Sequence, residues 1–61
     1  MNNEEKAQAY GQLLNHHTRI SNMISEIKGR NIEPTKSDLK EIDHLKNEQI
    51  KIMNSINKLL S

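Results

Sequence analysis

The sequence predicts an all-α protein, an antiparallel two-helix hairpin that dimerises into a four-helix bundle. Three observations carry this expectation. Apolar residues recur at alternating intervals of three and four in two stretches, a segment containing Gly29 and Pro34 separates them, and each apolar face is wider than one partner helix covers.

In the first stretch Tyr10, Leu13, His17, Ile20, Ile24 and Ile27 form an a/d heptad seam with one polar member. This spacing predicts a helix over about residues 3–28, opened by Asn2 with Glu5 three positions on. The turn follows at about 29–35: Gly29 is able to end a helix in the left-handed conformation, and Pro34 forbids a continuous rod. Thr35 is placed to cap the second helix with Asp38 near the positive end of its dipole, and Ser37 competes for that role. The second helix, about 36–60, repeats the layout with Ile42, Leu45, Gln49, Ile52, Ile56 and Leu59. A short connection makes the helices antiparallel neighbours, and aligning the apolar positions around the turn gives a register in which paired residue numbers add to about 66. That register sets Ile27 against Leu39, Ile24 against Ile42, Leu13 against Met53, Tyr10 against Ile56, and the two polar seam residues, His17 and Gln49, against each other.

Flanking apolar residues widen both seams: Leu39, Met53 and Leu60 on the second helix, Leu14 and Met23 on either side of the first. A three-in-seven face belongs to a bundle core, so a lone hairpin would leave it wet and a second copy is expected to cover it. The architecture resembles that of the small Rop-type plasmid regulators, two-helix hairpins of similar length that dimerise into a bundle and bind paired RNA loops. The likeness spans the chain in length and heptad layout, with no specific shared motif. That family sets an aromatic on its RNA-facing surface and this sequence has no Phe, so the resemblance bears on the fold rather than on the activity.

Composition narrows the functional classes. Leu and Ile supply 14 of the 61 residues with a net charge of +1, which places the chain above the composition of disordered segments. No cysteine is present, which removes disulfides and thiolate zinc sites and leaves helix packing or self-association to stabilise the fold. The first twenty residues hold no long apolar run, so neither a signal peptide nor a membrane span is expected and the location is read as cytoplasmic. Met1 at the start and Ser61 after the last apolar pair read as a complete gene product, and the richness in Ile, Asn and Lys suggests an AT-rich bacterial or phage genome.

No catalytic, cofactor or metal site is expected. The hydroxyls lack a base-and-orienter arrangement, Gly11 and Gly29 stand alone rather than in a phosphate loop, and adjacent His16 and His17 point about 100° apart on a helix, far from His44. His17 is read as a core histidine hydrogen-bonded to Gln49 or to its dimer mate, a polar layer that penalises shifted registers. On the back of the second helix Lys36, Lys40, His44, Asn47, Lys51, Asn54 and Lys58 fall within an arc of about 80°. As a solvated face this needs no partner; as a functional one, Lys36, Lys40, Lys51 and Lys58 track a phosphate backbone. The leading expectation is a homodimer that works by binding an unidentified protein partner, with Ile50 and Ile32 as rim anchors unless Ile32 packs under the turn. The alternative is Rop-like RNA binding through the lysine stripe.

Overall fold

A computed structural model describes residues 2–61. Two α-helices, α1 (Asn3–Arg30) and α2 (Lys36–Leu60), pack against each other as an antiparallel hairpin. Each start is chemically marked. The Asn2 side chain accepts from the Glu5 N–H at 2.8 Å, and Glu4 and Glu5 sit in the first turn of α1, where the helix dipole favours negative charge. At α2 the capping box is complete: Thr35 Oγ1 accepts from the Asp38 N–H and Asp38 Oδ2 accepts from the Thr35 N–H, both at 3.1 Å. Thr35 rather than Ser37 is therefore the cap.

The end of α1 differs from the sequence expectation. Gly29 stays inside the helix, the last helical residue is Arg30, and the chain leaves through Asn31 in an extended conformation (φ −134°, ψ 154°). No glycine has positive φ, so the left-handed cap expected at Gly29 does not form. Its replacement is a side-chain clasp. The Asn31 Nδ2 donates to Asp38 Oδ2 at 3.2 Å, so one carboxylate closes the start of α2 and ties it to the residue that ends α1. Pro34 disfavours helical backbone at Glu33 before it, and residues 31–35 lie outside both helices. Ile32 at the tip is 104% exposed and does not pack under the turn.

The buried core is a single layer of Ile20, Ile24 and Ile27 from α1 and Ile42, Leu45, Ile52 and Ile56 from α2, with Leu13 packed against it. All lie on the predicted seams. The register does not match the predicted one. Side-chain contacts across the hairpin join Gln49 to His17, Gln49 to Ser21, Arg30 to Glu41 and Asn31 to Asp38, pairs whose numbers add to 66, 70, 71 and 69. The helix ends Arg30 and Lys36 also add to 66, the sum expected from the turn. Side chains, however, lean toward their own N-terminus and cover surface about one position ahead of their Cα, and in an antiparallel pair the two leans add, raising the side-chain sum by about two. A sum raised in this way brings Ile42 closer to opposite Ile27 than Leu39, in keeping with the burial of Ile42. Leu39, expected opposite Ile27, is 55% exposed, and Met53, expected opposite Leu13, is exposed as well.

The hairpin is a rod of 47 × 15 × 11 Å with a radius of gyration of 14.4 Å. A compact chain of this length has a radius near 10–11 Å.

Candidate functional site

The residues left out of the core are not scattered. Among the described residues the exposed large hydrophobics are Tyr10, Leu14, Met23, Ile32, Leu39, Ile50, Met53 and Leu60. At 100° per residue, Tyr10 and Leu14 lie about 75° and 115° round α1 from its buried seam, and Met53, Leu60, Leu39 and Ile50 lie about 45–125° round α2 in the same rotational sense. Two right-handed helices that run in opposite directions with their seams facing carry same-sense flanks on one side of the pair. Six of the eight therefore share one long face of the hairpin. Met23 alone lies the other way, about 65° round α1. The sequence reading had set Leu14 and Met23 on either side of the first seam, because helix wheels taken singly do not say which of those flanks meets the Leu39, Met53 and Leu60 column.

A groove runs along this shared face, with a volume of about 460 Å³, lined by His17 from α1 and by Lys46, Gln49, Ile50, Met53 and Asn54 from α2. Its surface is mainly apolar, and the Gln49 amide on it is paired within the hairpin. Gln49 Nε2 donates to Ser21 Oγ at 2.8 Å and to the backbone carbonyl of His17 at 3.3 Å. The expected His17–Gln49 pairing thus holds as a level but not as a bond between side chains: the amide reaches the His17 main chain and Ser21, and the half-buried imidazole lines the groove instead. The sequence reading of this layer did not include Ser21. It follows His17 by one helical turn on the same flank, so a long amide opposite His17 also reaches it.

The lysine stripe is present as expected in direction and is fully on the surface: Lys36, Lys40, Lys51 and Lys58 are all exposed on the back of α2. Lys51 Nζ lies 3.4 Å from Glu48 Oε1 one turn earlier, which neutralises part of the stripe. His16 and His44 are exposed and stand apart from His17. No group of three or more His, Cys, Asp or Glu residues able to hold a metal ion occurs among the described residues.

The most strongly perturbed acid lies away from the groove. Asp38 is buried, and its carboxyl is held below the usual carboxylate range chiefly by the Thr35 N–H, with Asn31, the Thr35 hydroxyl and the charge of Arg30 adding to this against the opposing effect of burial. Its partners are all turn and cap groups, so it serves the hairpin connection. No helix is long and apolar enough to cross a membrane among the described residues.

Comparison of the chain with protein-family models, with curated proteins and with solved structures finds no match in any of the three.

Proposed function

We propose that this protein is a small helical-hairpin interaction module that works as a homo-oligomer, two hairpins closing a four-helix bundle, in a regulatory or adaptor role exercised by binding another protein. The observation that carries the reading is the one-sided apolar face. The hairpin exposes 4914 Å². A compact monomer of 7.1 kDa exposes about 4,100 Å² by the usual scaling with mass. The difference, on the order of 800 Å², is what one partner contributes to a stable protein interface of ordinary size. Chains this short rarely stabilise a single layer of buried side chains without disulfides, metal or association, and this one has no cysteine.

Sedimentation equilibrium at micromolar concentration tests it. The expected result is a mass twice that of the chain; a folded monomer would remove the reading. The second reading, nucleic-acid binding through Lys36, Lys40, Lys51 and Lys58, is favoured by their common exposure along one edge of α2. Retention of RNA in a gel at moderate salt, lost on changing Lys40 and Lys51 to Gln, would move the function to that surface.

A further inference from the structure

Resting on that reading, we infer that the interface between the two copies is the groove face carrying Tyr10, Leu14, Ile50 and Met53, and that the opposite face, which carries Met23, stays open to water. On α1 the sequence offered Leu14 and Met23 on opposite flanks. The hairpin distinguishes them by gathering six large apolar side chains and a groove of about 460 Å³ on one side and a single Met on the other.

The occupant is a second copy of this chain. The surface in excess of a compact monomer corresponds to one side of an ordinary dimer interface. The face also holds both halves of a self-complementary contact. Ile50 and Met53 rim the groove and project beside it, so an isologous pairing lets apolar knobs of each copy enter the cleft of the other. The Gln49 amide on the lining is already engaged by its bonds to Ser21 and to the His17 carbonyl, so covering the groove does not strand Gln49 Nε2. Lys46 is the one charged group on the lining, and its long stem is able to lie along apolar surface with the ammonium at the rim.

Two methionines supply a matched test. Met53 and Met23 are 43% and 45% exposed in the hairpin and lie on opposite faces, and the chain has no native cysteine. Met53→Cys and Met23→Cys therefore each place one thiol at a site equally open in the monomer. At a protein concentration well above the dimer Kd, alkylation of Met53→Cys should run on the order of tenfold slower than that of Met23→Cys, because the thiol reacts chiefly from the dissociated fraction. Dilution below the Kd should bring the two rates together. Sedimentation of each variant under the labelling conditions separates the possible failures. A dimer with equal rates, or with Met23→Cys the slower, overturns the choice of face while leaving self-association intact. A monomer overturns both, and slow labelling of Met53→Cys that appears only on adding another protein assigns the face to that protein and overturns the second copy. Circular dichroism of both variants shows that the hairpin has folded.

Discussion

At the scale of single residues the most informative group is Asp38, because one carboxylate accepts from the Thr35 N–H within its own box and from Asn31 at the end of the preceding helix. Its folded pKa lies below the ordinary value of 3.8. A depressed carboxylate pKa means that the unfolded chain binds the proton more readily, so the stabilisation is complete above the ordinary value and is lost as pH falls through the folded one. Thermal melts of the parent across the window below pH 3.8 should therefore fall more steeply than those of Asp38→Asn, which keeps the shape and lacks the charge; parallel curves would show that the carboxylate adds nothing. At neutral pH, Thr35→Ala removes the reciprocal half of the box and should cost about 1 kcal/mol in urea unfolding. These cap residues were legible in the sequence because a cap is local: Thr35 and Asp38 stand three apart whatever the rest of the chain does. The Asn31 contact was not, since it depends on where α1 ends. The link from Gln49 to Ser21 was equally hidden, being set by a register between segments far apart in sequence.

At the scale of elements, both helices were readable from periodicity and their ends were readable only where a cap is chemically specific. Gly29 shows the limit. A glycine before a turn has two uses, a left-handed cap or an ordinary helical position, and nothing in GRNIEP separates them; the structure chooses the second because Asn31, held by Asp38, takes over the exit. The two uses give opposite consequences for a methyl group. In a left-handed cap, alanine is strained. Here φ is not positive and a Cβ at Gly29 meets nothing within 4 Å. Gly29→Ala should therefore stabilise the hairpin by about 0.5–1 kcal/mol, through lower backbone entropy in the unfolded chain. A lower melting temperature for the alanine variant would restore the left-handed cap. The register error has a related origin: the turn fixes which backbones are level, whereas the lean of every side chain toward its own N-terminus fixes which of them touch.

At the scale of the whole molecule, the seven buried apolar residues form a ribbon one side chain deep, with Ile27 at 2% exposure the most enclosed of them. A second layer, absent from one hairpin, is what turns such a ribbon into a core. If two copies supply it, folding and association are one event and the melting temperature must depend on protein concentration. Each tenfold rise in concentration favours a folded dimer over unfolded monomers by about 1.4 kcal/mol per dimer, which for chains of this size moves the midpoint upward by a few degrees. Calorimetry over a hundredfold range of concentration should show that rise in the parent. Met53→Glu sets a charge on the groove face and should remove the cooperative transition over that range, whereas Met23→Glu on the other side should keep both the transition and its slope. Because folding then requires the second copy, a charge that blocks the junction removes the folded state, whereas one that strains only its own chain lowers the midpoint and keeps the slope. A parent whose midpoint is flat over the whole range would show that the ribbon is stable alone.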